Sequence, residues 1–269
     1  MHPRELLNSL NANPRKSLSQ NFLTSPHWAE RLTDLATQKP CDEIWEIGPG
    51  LGALTRPLVE KAGKKSIPVK LFEYDKIFVE YLKKEIPQAD MNAGDVLEAD
   101  FQNLIGTKHV TILSNLPYNI SSPILRKFVA IKPSLVRLIL TFQKEFADRL
   151  LAEPRTSAYG ALTVTTQLHF SVEPVGTIPP KAFYPAPEIA SEALCLEPKE
   201  NAPGIEPVDG IVHAAFLHRR KKAIGNLKKA YPEKNWEEIY RKLGLPEGAR
   251  AEEFDKDAYL ALGLAYSQA

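Results

Sequence analysis

Two cysteines in 269 residues leave no basis for a disulfide framework. Cys41 and Cys195 stand far apart and neither has a Cys-x-x-Cys partner, so reduced structural thiols and a cytoplasmic location are the expectation. No apolar stretch reaches bilayer-spanning length. The start, Met1-His2-Pro3-Arg4-Glu5-Leu6-Leu7, lacks the long apolar core of a secretory signal, and no membrane partner is expected. The six histidines show no spacing of the kind metals need, such as two on one helical face, so no metal site is expected. Charge of one sign is missing too: 34 Lys and Arg against 33 Asp and Glu give a net +1. This balance leaves a polyanionic partner open, because such a partner needs cations gathered on one face, not a basic chain.

What is present reads as a globular α/β protein with room for one large domain and a small one. Ser25-Pro26 is a cap and first-turn pair for a helix over 26–37. Strands are expected at 43–47, 69–72, 90–93, 110–113 and 136–142, and helices at 51–62, 75–86, 121–130 and 144–151. Such alternation implies a parallel sheet with helices on both faces. Beyond Tyr159-Gly160 the pattern changes, and 162–172 and 189–196 read as a terminal antiparallel pair of strands around the proline-rich stretch 179–187. The segment up to about Gln20 is polar and proline-punctuated, and a loose start is expected. Three prolines and a glycine within 197–207 mark a linker. All later segments read helical: 208–230, 236–243 and 255–264. The expected division is a sheet domain over 1–200 and a small all-helical domain over 201–269.

The turn Glu46-Ile47-Gly48-Pro49-Gly50-Leu51-Gly52 follows the first central strand. Its glycines let the backbone turn tightly and approach a ligand closely, and the next helix offers free N-terminal amides there. With Ala53 the turn also satisfies the loose dinucleotide fingerprint, so a nicotinamide-cofactor oxidoreductase fits this motif as well. Glu73, ending the next strand, can accept bonds from both ribose hydroxyls. Glu46, Pro49 and the Gly94-Asp95 pair favour S-adenosylmethionine, Asp95 being placed to take a bond from the adenine amino group.

Asn115-Leu116-Pro117-Tyr118, directly after the strand at 110–113, puts an amide acceptor, a rigid bend and an aromatic face within four residues. Such a set suits a flat ring bearing an amino group. The Asn115 side-chain oxygen can accept one amino hydrogen of an adenine and the Leu116 carbonyl the other, with Pro117 fixing the bend. Tyr118 can stack on the base, a contact worth about 1–3 kcal/mol. An exocyclic amine is a poor nucleophile because its lone pair is delocalised. Holding it in line with a methyl donor is therefore the main effect, and orientation can reach effective molarities of roughly 10⁵–10⁸ M. Phe183, in the proline-rich loop, can close the opposite face of the base.

In this order, Ser19-Gln20-Asn21-Phe22-Leu23, the turn at 46–52, Asn115-Leu116-Pro117-Tyr118-Asn119-Ile120-Ser121, Gln143-Lys144-Glu145, Ala182-Phe183-Tyr184-Pro185 and Phe216-x-x-Arg219-Arg220-Lys221 resemble the KsgA family of ribosomal RNA adenine N6,N6-dimethyltransferases. The likeness runs from about Lys16 to near the C-terminus. It implies a Rossmann-like class I methyltransferase sheet with a small all-helical C-terminal domain. It also implies dimethylation of two adjacent adenosines near the 3′ end of small-subunit rRNA, acting on an immature ribosomal particle. S-adenosylmethionine is the implied donor and S-adenosylhomocysteine its product. Carried over by position, the cofactor contacts are Asn21, Leu23, Gly48, Glu73, Asp95 and Asn115, with Gly50 beside them. A monomer is expected. Two departures stand out: the family usually has glycine where Ser19 stands, and Glu188 replaces a cation near the RNA path.

Between Gly210 and Tyr231 there is no acidic residue, while Arg219, Arg220, Lys221, Lys222, Lys228 and Lys229 concentrate positive charge. A cluster of this kind suits phosphates, and the first four are the candidate RNA contacts. Trp236 and Tyr240 read as core. Two competing functions share this scaffold. Macrolide-resistance rRNA methyltransferases act on the large subunit and tend to be markedly basic, and a non-catalytic ribosome assembly factor would have lost the site residues that are intact here.

Overall fold

The computed structural model of the chain, which describes residues 2–200 and 205–268, begins with a helix where a loose start is expected. Helix α1 (Pro3–Ser9) has proline in its first turn and His2 Nδ1 accepting from the Arg4 amide at 3.2 Å. Its Leu7 is buried with Phe22, Leu51 and Phe78. This apolar anchor outweighs the polar, proline-punctuated composition that suggests looseness. Strand β1 (Phe22–Leu23) follows, then α2 (Pro26–Gln38), where Ser25 Oγ accepts from the Trp28 amide as the cap pair predicts.

Next, β2 (Glu43–Ile47), α3 (Thr55–Gly63), β3 (Val69–Glu73), α4 (Lys76–Glu85), β4 (Asp90–Ala93), α5 (Phe101–Ile105), β5 (Val110–Asn115), α6 (Ser121–Ala130) and β6 (Leu135–Gln143) alternate. The parallel strands lie in the order β4-β3-β2-β5-β6. Both faces are covered, so the central strands are nearly continuous apolar runs. On one face Ile44, Leu71, Leu113 and Ile139 pack with Leu32 and Leu58. On the other, Trp45, Phe72, Phe101 and Phe128 form a chain of ring contacts. The chain runs outward from β2 to β4 and returns to β5, so the order reverses between β2 and β5 and their carboxyl ends open a crevice.

After α7 (Lys144–Leu150) the expectation of a strand over 162–172 fails: α8 (Ala161–His169) is a helix and β7 (Phe170–Ile178) starts only at Phe170. The run Leu162-Thr163-Val164-Thr165-Thr166 has strand-like side chains. Its Val164 and Leu168 nevertheless pack with Tyr159 and Val208, and tertiary burial overrides the local preference. The short strand β8 (Phe183–Tyr184) pairs antiparallel with β1. Strand β9 (Ser191–Pro198) runs antiparallel to β6, with β7 beyond it at the sheet edge.

Two compact units result, 1–147 with 173–198, and 148–172 with 199–269. The second therefore draws in a segment upstream of the expected division at 200. The expected linker over 197–207 contains 201–204, which lie outside the described residues. The second unit holds α8, α9 (Ile205–Phe216), α10 (Ala223–Ala230), α11 (Trp236–Leu243) and α12 (Lys256–Gln268) around Trp236, Tyr240 and Tyr259, all fully buried. Where one helix over 208–230 is expected, the chain turns between α9 and α10. The buried Asn226 amide donates to the Ala215 carbonyl at 2.7 Å and to that of His218 at 3.3 Å, taking up carbonyls at the end of α9.

Candidate active site

A cavity of about 1780 Å³ opens at the carboxyl ends of β2, β3 and β5. Asn21, Leu23, Gly48, Glu73, Asp95 and Asn115 all contribute to its wall, as does Gly50. Segments far apart in sequence meet here because parallel strands deliver every carboxyl end to one side of the sheet.

The turn after β2 needs its glycines. Gly48, Gly50 and Gly52 have φ of +66°, +55° and +81°, the left-handed region. A Cβ on Gly50 would sit 3.1 Å from the Phe22 ring, and one on Gly48 would lie 3.6 Å from Pro117 Cδ. Gly48 thus sits directly against the proline of the Asn115 tetrad.

Glu73 is buried and already committed in part: one oxygen accepts from the Gly50 amide at 2.9 Å, the other from the Asp75 amide at 2.8 Å. Burial pushes its carboxyl above the usual range, opposed by those amides. Glu46 is 1% exposed, and its Oε2 has no hydrogen-bond partner among the described residues. Burial pushes the Glu46 carboxyl from 4.5 up to about 8, with Thr55 opposing and the Glu73 charge adding to the rise. Asp95 lines the cavity, and its Oδ1 accepts from the Leu97 amide at 2.8 Å.

Asn115 ends β5. Its Nδ2 donates to the Asn21 carbonyl at 3.0 Å, and its Oδ1 accepts from Thr141 Oγ1 at 2.5 Å. Among the described residues no donor reaches the Leu116 carbonyl. Pro117, with φ −57°, leads into a single 3₁₀ turn over Tyr118–Ile120. Tyr118 is half-buried; its hydroxyl lies 2.9 Å from Ser191 Oγ, and burial raises its pKa against that bond. Tyr118 and Leu116 are not part of the cavity wall, although Pro117, Asn119 and Ile120 are. Phe183 is not brought to it either: it is 4% exposed, lies opposite Leu23 on β1 and packs with Ala29 and Ala182. That placement makes it a support for the N-terminal wall.

Ser19, the position expected from the resemblance to carry glycine in most relatives, adopts φ +49°, and its carbonyl accepts from Asn21 Nδ2 at 3.2 Å. The loop therefore makes a left-handed turn despite carrying a side chain. Sequence reasoning missed several wall residues. His2, Leu6 and Leu10 reach the cavity from the N-terminal segment, and Tyr74, 58% exposed, lines it beside Glu73. The leucine spacing in 6–10 was the available signal for the first group; an isolated tyrosine after a strand gave none. Thr141 and Ser191 carried no signal, because only strand pairing puts them beside the tetrad.

The basic candidates lie on the turn between α9 and α10, not around one continuous helix. Arg219 donates to the Tyr159 carbonyl at 2.9 Å and to that of Ser157 at 3.2 and 3.3 Å, so its guanidinium braces the second unit. Arg220, Lys221 and Lys222 are exposed, and among the described residues none is in an ion pair. Together with Lys229 they line a shallow basic depression. Lys228 instead pairs with Glu237. Cys41 and Cys195 are half-buried free thiols, each pushed up by burial. Among the described residues no helix is long and apolar enough to cross a membrane, and no group of three or more His, Cys, Asp or Glu could hold a metal.

Comparison with known proteins puts this geometry in context. A family profile described as ribosomal RNA adenine dimethylase matches residues 11–267. A curated relative from Geobacter metallireducens, ribosomal RNA small subunit methyltransferase A, is 36% identical over 93% of this chain and 94% of its own. A dimethyladenosine transferase from Plasmodium falciparum has a similar fold, with a TM-score of 0.74 at 23% identity over 92% of this chain and 98% of that one. The 23S rRNA methyltransferase ErmE also shares the fold, with a TM-score of 0.68 at 24% identity over 92% of this chain and all of that one.

Proposed function

This chain belongs to the ribosomal RNA adenine dimethylase family, and on that premise we propose that it dimethylates the N6 amines of two adjacent adenosines near the 3′ end of small-subunit rRNA. It is an rRNA methyltransferase of the small-subunit type. The observation that carries the finer reading is the shared wall: Asn115, the glycine turn and the Glu73 carboxylate face one cavity.

The residues present fit S-adenosylmethionine. Gly48 and Gly50 give close backbone approach, Glu73 is placed for ribose hydroxyls, and Asp95 has an oxygen for an amino group. The unpartnered Glu46 oxygen suits a hydroxyl or ammonium donor, since a buried polar atom without a partner is costly. When bound, the cofactor supplies an electrophilic methyl on a sulfonium. Everything else falls to the chain. Asn115 Oδ1 accepts one amino hydrogen and the Leu116 carbonyl, off the cavity wall but between the wall residues Asn115 and Pro117, accepts the other, turning the nitrogen lone pair toward the donor. Pro117 holds the bend, and Tyr118 offers its ring to the base. No strong base is needed, because the amine becomes acidic once methylated and releases its proton to solvent. Arg220, Lys221 and Lys222 supply phosphate contacts from the second unit; Arg219 contributes there mainly by holding the turn. The expected partner is rRNA in an immature small-subunit particle, and the expected location is the cytoplasm.

The test is mass mapping of nucleotides after incubating immature small subunits, and separately large-subunit rRNA, with protein and methyl donor. Two adjacent dimethyladenosines in the small-subunit RNA alone are expected. Modification of the large-subunit RNA instead would transfer the protein to the macrolide-resistance type, and no modification of either would support an assembly factor without catalysis.

A further inference from the structure

Thr141 is 1% exposed and is not part of the cavity wall, yet it makes the shortest hydrogen bond at the reaction centre, 2.5 Å to Asn115 Oδ1. The contact follows from strand register. Asn115 on β5 lies opposite Thr141 on β6, and paired residues in neighbouring strands point to the same face. We propose that Thr141 is a positioning residue for methyl transfer, restraining the swing of the Asn115 amide oxygen, whose facing the Asn21 carbonyl fixes, and leaving one lone pair of that oxygen for the substrate amine.

The physical case rests on the two ends of the amide. Asn115 Nδ2 donates to the Asn21 carbonyl, and Oδ1 accepts from the Thr141 hydroxyl. A flipped amide would set its oxygen against the Asn21 carbonyl, two acceptors facing each other, and lose the first of these bonds. An amide oxygen has two lone pairs. Thr141 uses one; the other remains for an amino hydrogen. Asn21 alone would fix the nitrogen end, while Thr141 also restricts the swing of the oxygen. A substrate hydrogen bond that must be aimed along one direction gains most from such a restraint.

This proposal rests on the catalytic reading of Asn115, and the experiment separates the two. Thr141→Val keeps the shape and removes the hydroxyl; Thr141→Ser keeps the hydroxyl. With Thr141→Val, kcat for adenine methylation is expected to fall roughly 5- to 10-fold, the scale of one hydrogen bond, with KM for rRNA and the cofactor Kd by calorimetry unchanged. Thr141→Ser is expected to restore most of kcat. In ¹⁵N-labelled protein, the Asn115 side-chain amide pair, identified by its loss in Asn115→Ala, is expected to exchange faster with water in Thr141→Val. Should Thr141→Val not fold, Thr141→Ala is read by the same measurements.

Parent-level kcat in Thr141→Val overturns the proposal, provided Asn115→Ala is inactive in parallel. An equal loss in Thr141→Ser and Thr141→Val overturns it as well, since packing and not the hydroxyl would then be responsible. Full turnover in Asn115→Ala would overturn both the catalytic reading and this proposal.

Discussion

The two units present their candidate contacts by opposite means. In the first, the site is built from few groups, each buried or half-buried and each held by a named partner: Glu73 by two backbone amides, Asn115 by Asn21 and Thr141, Tyr118 by Ser191. In the second, the candidate RNA surface consists of exposed cations on a turn whose backbone is fixed from below by Asn226 and braced by Arg219. A buried directional contact cannot be replaced by water or by a neighbour, whereas an exposed charge acts additively and through solvent. Single substitutions should therefore be drastic in the first unit and incremental in the second.

The sharpest test of that contrast is Asn115→Ala. Loss of one preorganised group at a reacting centre costs roughly 10²–10³-fold in rate, and a drop of that size in kcat is expected with the melting temperature near that of the parent. Turnover within a few-fold of the parent would erase the contrast from the catalytic side.

Smaller effects are expected from Arg220→Ala, Lys221→Ala and Lys222→Ala. Each should weaken rRNA binding uniformly. Removing one cation from a phosphate should flatten the plot of log affinity against log salt by about 0.7–0.9, with cofactor Kd unchanged. Arg219→Ala should behave differently, lowering the melting temperature because the carbonyls of Ser157 and Tyr159 lose their donor. If Arg219→Ala altered only the salt slope, the separation of bracing from phosphate-binding residues on this turn would be wrong. Charge variants of the intact chain are preferable to truncation after Pro198, since 148–172 would lose its packing against Val208, Trp236 and Tyr259.

A separate expected effect is a pH dependence of stability, which bears on folding and not on recognition. The Glu46 carboxyl is raised by burial from 4.5 to about 8 in the folded chain. The folded state thus holds a proton that the unfolded state releases, and this stabilising contribution is complete below about 4.5 and lost as pH climbs through about 8. The melting temperature of the parent should fall across that window, and Glu46→Gln, neutral throughout, should flatten the fall. Some slope should survive from Glu73, which burial also raises. An undiminished slope in Glu46→Gln would mean that other groups set it.

Much of the first unit was readable in the sequence, because its strands are short apolar runs punctuated by Gly and Pro and its cap pair at Ser25-Pro26 is local. The segments misread were those whose state is set by distant partners. The β-branched run at 162–166 becomes helical only because Tyr159 and Val208 bury it. The expected helix over 208–230 breaks only where Asn226 takes up the carbonyls of Ala215 and His218. The N-terminal segment orders because Leu7 finds Phe22, Leu51 and Phe78.

By itself the sequence determined the alternation of elements, the glycine turn, the tetrad and the family, since each is written in residues adjacent along the chain or in their fixed order. Only the tertiary structure decided that Glu46 keeps an unpartnered buried oxygen, that Phe183 belongs to the core and that Thr141 holds Asn115. Hydrogen bonds and burial depend on which strands become neighbours, and strand pairing between residues dozens of positions apart leaves no mark on either segment alone.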